Sequence, residues 1–254
     1  MTSQTIEGAA APARLLVIQN DPTDPVGLLG TWWDEHGIGY DVVRADLGEA
    51  VPRELPAGYH GVVLLGGEMA AWEDERAPWL PDERALILSS VESSAPLLGV
   101  CLGGQLMTLA AGGVVDRAPV AEVGIYEIDL LPAAEADPLF SVLPQGIPVA
   151  QYHQDAMLEA PEGAVVLAST PTCPVQAYRL GSSAWAIQFH PEVDAEILAS
   201  WFPDDPEPVE KAGASVEKVM KDVVDREQEM LDGWRPFAVA FAEVVRTSAG
   251  SPRP

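Results

Sequence analysis

The chain has 254 residues, 48% of them hydrophobic, which is enough to bury a substantial core in one main domain. Its 39 acidic against 14 basic residues give a formal net charge of −25, which repels phosphate backbones and anionic headgroups, so nucleic acid and membrane surfaces are poor partners. Cys101 and Cys173 are too few for a disulfide framework; a reducing cytoplasm, the expected location, keeps Cys101 a free thiol and leaves Cys173 incidental.

The opening MTSQTIEGAAAPA (1–13) lacks the basic start and long apolar stretch of an export signal and is expected to be a disordered lead. RLLVIQ (14–19) is a strand-sized apolar run, and the NDPTDP that follows reads as a loop. VGLLGTWWDEH (26–36) carries apolar side chains at helical spacing and stops at Gly37, after which YDVVRA begins another strand. HGVVLLGG ends a third strand in a glycine pair, PWLPDERALILSSVESS supplies an amphipathic helix, and PLLGV is a fourth, fully apolar strand. Strands joined by helical crossovers predict a parallel sheet covered on both faces.

After the helix LGGQLMTLAAGG the pattern changes to short strands separated by turns: VGIYEIDLL, IPVAQYH, AVVLAST, PVQAYRL and SAWAIQF. This half is expected to be strand-rich and partly antiparallel. From residue 203, PDDPEPVEKAG reads as a charged linker, and VEKVMKDVVDREQEML and FAVAFAEVV as two helices of an acidic extension over 203–254. The domain proper then covers 14–202.

The strongest local signal is GVCLG (99–103), a nucleophile between glycines where an apolar strand meets a helix. A helix N-terminus favours thiolate over thiol, and thiolate is the attacking species. Alone, the pentapeptide fits a buried structural cysteine equally well. Four histidines are present to serve as base. His36 sits at a helix end and His60 just before a buried strand, both structural places, whereas His190 closes an apolar strand in QFHPE with Glu192 two residues on. A carboxylate on one imidazole nitrogen fixes the tautomer and leaves the other nitrogen for Cys101. Alone, HPE also fits a loop in which Glu192 merely opens the next helix. No cysteine or histidine spacing of a metal site occurs, so neither metal nor cofactor is expected.

Taken together, GVCLGGQL, QFHPE and the earlier LGGEM resemble the class I glutamine amidotransferases, particularly stand-alone members similar to the glutaminase domain of GMP synthetase. The resemblance covers about residues 14–200. It implies a flavodoxin-like α/β domain, a mixed and mostly parallel sheet flanked by helices, with a smaller strand-rich part and the helical tail. It implies Cys101 as a thioester-forming nucleophile, His190 as base and then acid, and Glu192 as its orienter. The same likeness gives an oxyanion hole from the backbone N–H groups of Gly67 and Leu102, Gln105 as a residue that helps hold the substrate, and Tyr152, Gln154 and Asp155 at its amino-acid end; His153 reads as a structural hydrogen bonder. Where many relatives carry proline after the glycine pair, this chain has Glu68; Met69, Trp72, Asp74, Pro78 and Trp79 resemble a subgroup of stand-alone members.

The activity so implied is hydrolysis of glutamine to glutamate and ammonia, with the ammonia accepted by a separate synthase or ligase. Association of the chain with itself stays open. Two alternatives share the motifs or the fold: a hydrolase of γ-glutamyl peptides or amines, and a non-catalytic module, for which an intact Cys101, His190 and Glu192 would serve no purpose.

Overall fold

The structure, a computed structural model, describes residues 13–250; the lead expected over 1–13 lies, apart from Ala13, outside the described residues. The chain runs β1 (Arg14–Gln19), α1 (Gly27–Glu35), β2 (Gly39–Arg44), β3 (Gly61–Leu64), α2 (Leu80–Glu92), β4 (Leu97–Val100), α3 (Leu102–Ala110), β5 (Val114–Glu127) and β6 (Asp129–Leu130). It continues through β7 (Pro148–Glu159), β8 (Val165–Ser169), β9 (Ala177–Leu180), β10 (Ala184–Ile187), α4 (Ala195–Asp204), α5 (Glu207–Ala212) and α6 (Val216–Ala249).

One eight-stranded sheet has the order β2-β1-β3-β4-β10-β9-β8-β6. Its first five strands are parallel, in the flavodoxin-like arrangement, and β9, β8 and β6 continue it antiparallel. The strand-rich half thus splits in two, because β5 and β7 leave the sheet to form a separate antiparallel ribbon.

Alternation along each strand sorts side chains between two cores. On β1, Leu15 and Val17 enter one core with Trp33 of α1, while Leu16 and Ile18 enter the other with Leu86 and Ile87 of α2 and Leu106 of α3. Both faces of the sheet are therefore buried, which is why its central strands are continuous apolar runs rather than alternating ones. Leu98 pairs with Val63 on one side and Trp185 on the other, all fully buried, and its strand β4 ends immediately before Cys101.

The tail differs from the two helices expected. VEKVMKDVVDREQEML and FAVAFAEVV are one 34-residue helix, α6, running through Pro236. A proline inside a helix costs about 3 kcal/mol through its missing N–H and its clash with the preceding turn. Here Met230, Trp234, Phe237, Phe241 and Val245 stay in phase across it, all buried against the sheet, and truncating any one such aromatic typically costs about 3–5 kcal/mol. Packing outweighs propensity. Trp234 Nε1 donates to the Pro148 carbonyl at 2.8 Å and Trp33 Nε1 to that of Ala238 at 3.2 Å, so α6 shares the main core. The expected linker holds α5, whose prolines, Pro206 and Pro208, fall at its start, where no N–H is needed, and which ends at Gly213 with φ +60°.

Candidate active site

Asn20 to Asp24, Gly67, Cys101 and His190 follow the carboxyl ends of β1, β3, β4 and β10, the end of a parallel sheet where ligands bind. Cys101 has φ +48° and ψ −106°, a left-handed conformation that a residue with a side chain adopts only when its surroundings enforce it. Its N–H donates to the Ile187 carbonyl at 2.8 Å, and its carbonyl accepts from Gln105 N at 2.9 Å. The glycines beside it are required by close approach: a Cβ on Gly103 would lie 2.2 Å from the Leu64 carbonyl oxygen, and one on Gly99 would lie 2.6 Å from the Gly103 carbonyl. The turn therefore projects Cys101 into the cleft, and Leu102 opens α3 with an N–H that has no partner inside the helix.

His190 and Glu192 meet across Pro191. The N–H of His190 donates to the Ala150 carbonyl at 3.0 Å, pinning the loop to β7, and Leu28 N donates to the Glu192 carbonyl at 2.9 Å. His190 Nδ1 lies 2.6 Å from Glu192 Oε1, both side chains almost wholly buried, and the imidazole lines one hollow with Cys101, close enough for their charges to couple. Burial opposes charge on the ring, but Glu192 and then Cys101 outweigh it and hold the His190 pKa well above the ordinary histidine range. The three residues singled out in the sequence thus come together.

Two hollows meet at Cys101. One, about 400 Å³ with its mouth, is lined by His190, Trp201 and Tyr152 and by Asp21, Asp24, Glu68, Asp204 and Asp205. The other holds Met69, Gln105, His153, Gln154 and Asp155. Gly67 borders both, and a Cβ on it would sit 3.1 Å from the Leu102 side chain, so the two backbones named for the oxyanion hole are neighbours.

Gln105, Tyr152, Gln154 and Asp155 all border the second hollow, yet each is already engaged. Gln105 Nε2 donates to the Asp155 carbonyl at 3.1 Å, Asp155 pairs with Arg117 at 3.0 Å, and Gln154 donates to Glu207 at 3.2 Å. The Tyr152 hydroxyl donates to the Asp205 carbonyl and its ring packs on Trp201 and Phe202. His153 spans Glu122 and the Asp155 carbonyl, 3.0 Å from each. His36 Nδ1 donates to the Trp32 carbonyl at 2.8 Å, and His60 Nδ1 accepts from Arg14 N at 3.1 Å, both away from the cleft. Cys173 is buried, and burial and Glu122 push its thiol up to about 12. Glu68, in place of the usual proline, pairs with Arg76.

Three neighbours went unnoticed in the sequence. Gln188, two residues before His190 on the same side of the chain, aims Nε2 at Cys101 Sγ from 3.6 Å. Trp201 stacks edge-on against His190 with ring centroids 4.7 Å apart. Asp24 lies in the NDPTDP loop; burial first, then Glu192, push its pKa up to about 7, against a lowering by His190. Period-two spacing would have found Gln188, and the rule that ligands sit beyond strand ends would have found Asp24. Asp24, His190 and Glu192 offer ligand atoms within 4.8 Å of one another, the grouping of this kind among the described residues. A cation there would have to displace the bond between His190 and Glu192.

Comparison with known proteins follows the same lines. The chain is 35% identical over 205 residues to a glutamine-hydrolysing GMP synthase from Aeropyrum pernix, covering 75% of this chain and 37% of that protein. It is 40% identical over 103 residues to a glutamine-hydrolysing GMP synthase subunit from Pyrococcus abyssi, covering 40% of this chain and 53% of that one. It therefore spans only about a third to a half of these relatives' lengths. Its structure superposes on a glutamine amidotransferase from Thermotoga maritima with a TM-score of 0.81 and 26% identity, covering 92% of this chain and 99% of that one. Because the family pattern described as glutamine amidotransferase class-I matches residues 34–200, well over half of the sequence, the chain belongs to that family.

Proposed function

We propose that the chain hydrolyses the side-chain amide of glutamine through a γ-glutamyl thioester on Cys101 and passes the ammonia to a separate acceptor enzyme. The observation that carries this reading is a strained, helix-opening Cys101 lining one hollow with an imidazole that is bonded to a buried carboxylate at 2.6 Å. The thiolate attacks the amide carbon, and the oxygen that gains charge turns toward the N–H groups of Leu102 and Gly67. Preorganised donors of this kind are each worth about 3 kcal/mol at the transition state. His190 then gives its proton to the departing nitrogen and, acting as base, takes one from the water that cleaves the thioester. Gln188 offers an N–H to the sulfur, and the amino-acid end of the substrate occupies the hollow of Gln105, Tyr152, Gln154 and Asp155.

Relatives described as subunits of a glutamine-hydrolysing GMP synthase support a synthetase in the acceptor role. A thiolate nucleophile suits a reducing cytoplasm, and among the described residues no helix is long and apolar enough to cross a membrane. The test is covalent capture by an electrophilic diazoketone analogue of glutamine, read by peptide mass spectrometry alongside glutamate release. One adduct on Cys101, with both signals lost in Cys101→Ala, is expected. Glutamate release that survives in Cys101→Ala would end the proposal.

A further inference from the structure

The two hollows that meet at Cys101 share Gly67, Glu68, Tyr152 and Asp205, and the first adds His190, Trp201, Asp21, Asp24 and Asp204. His190 borders the first and not the second, so the nitrogen it protonates departs into the first. When glutamine is the substrate, that nitrogen leaves as ammonia and needs no room. That hollow opens to solvent and is lined by Asp21, Asp24, Glu68, Asp204 and Asp205, with no lysine or arginine among its described lining residues.

Some of these carboxylates are accounted for. Asp21 Oδ1 accepts from Thr23 N at 2.8 Å and from its hydroxyl at 2.7 Å, and Glu68 pairs with Arg76. Asp24 is not. It is only 8% exposed, it lines the hollow beside His190, and its Oδ1 has no hydrogen-bond partner. A buried acceptor left without a donor beside a cleft costs free energy that a donor brought to it would recover. Burial, then Glu68 and Glu207, push Asp205 up to about 6 against a lowering by Arg76, so carboxylates outnumber the one guanidinium acting on it.

We propose that this hollow receives an amine leaving group carrying a second, protonated amino group, making γ-glutamyl conjugates of diamines substrates of the Cys101 site. Asp24 takes the ammonium near the histidine, and Asp205 and Asp204 take it toward the mouth. The inference rests on the thioester half of the function proposed above and is independent of where ammonia goes. In the step itself, the bond from Cys101 Sγ to the γ-carbonyl carbon forms as the carbon–nitrogen bond breaks, and the proton on His190 passes to the departing nitrogen. Water then adds to the carbonyl carbon, giving a proton to His190, and the carbon–sulfur bond breaks. The products are glutamate and the free diamine.

The test compares kcat/KM for three amides of the γ-carboxyl of glutamate: glutamine, the conjugate of a linear aliphatic diamine, and the conjugate of an uncharged alkylamine of matched length. The diamine conjugate is expected to exceed the alkylamine conjugate by about tenfold or more, as a buried charge-assisted pair implies. That ratio should fall toward one in Asp24→Asn and Asp205→Asn; being taken within each variant, it cancels any general loss of activity. Equal rates for charged and uncharged conjugates, or cleavage of glutamine alone, would overturn the inference and leave the glutaminase reading standing. Cleavage of none of the three by the unaltered chain, with no adduct on Cys101, would remove both.

Discussion

Replacing Glu192 by glutamine isolates the electrostatic part of the triad, since Leu28 N holds the Glu192 backbone carbonyl at 2.9 Å whatever the side chain. An opposite charge at this range shifts a pKa by about 1–3 units, and each unit corresponds to about 1.36 kcal/mol. Losing it withdraws roughly 1.4–4 kcal/mol of support for the His190 imidazolium; Asp24 keeps a partial negative charge nearby, which places the effect toward the lower end. The alkaline limb of kcat/KM for glutamine should therefore move down by about 1–2 units, with a plateau loss of about a hundredfold as the imidazolium loses its counter-charge. The rate of Cys101 alkylation by iodoacetamide, followed across the same pH range, should report the same displacement without any substrate. Stability gives a second readout. The folded pKa of His190 lies above its ordinary value of 6.5, so its contribution is complete below pH 6.5 and is lost as pH rises through the folded value. The variant should be less stable than the parent below pH 6.5 and approach it in alkali. Superimposable pH profiles for variant and parent would refute the triad assignment.

Other consequences can be measured on the fold. Pro236 is exposed and interrupts an otherwise regular helix, so Pro236→Ala should stabilise the chain by about 2 kcal/mol after allowing for the freer unfolded state, raising Tm by about 4–8 °C; no change in Tm would mean that α6 is kinked to fit its neighbours. Gly103→Ala should cost at least about 3 kcal/mol through the clash with Leu64 and strip activity, as urea denaturation and turnover would show. Asp24→Asn should stabilise the fold above pH 7 and have little effect at pH 4. The folded pKa of Asp24, about 7 against 3.8, means that the penalty for its charged form builds as pH rises between those values, to an upper limit of about 4 kcal/mol. A stability difference independent of pH would show that Asp24 is neutral or paired.

The parallel half of the sheet was readable because buried parallel strands leave little choice of residue: RLLVIQ, GVVL and LLGV are apolar at every or nearly every position. Cys101, His190 and Glu192 were readable because glycines, a strand end and a two-residue spacing are local signals. What escaped was long-range. Nothing near Pro236 says that a helix survives it; only the packing of Trp234 on Phe189 and of Phe237 on Phe140 does. The ribbon of β5 and β7 looks like the other strands one at a time, and its departure from the sheet is a matter of pairing. Asp24 is an ordinary loop aspartate until the fold sets it beside a histidine 166 residues further along the chain.

The hydroxyl of Tyr152 reaches over to the Asp205 carbonyl and so draws the stretch between α4 and α5 across the opening, beyond the residues that define the family. The residues around the sulfur are anchored in the sheet, whereas the cleft mouth is bordered by a short surface stretch held by Tyr152 and, through Glu207, by Gln154. Insertions or exchanges between residues 204 and 208 would accordingly reshape the mouth while the sulfur, imidazole and carboxylate stay where they are.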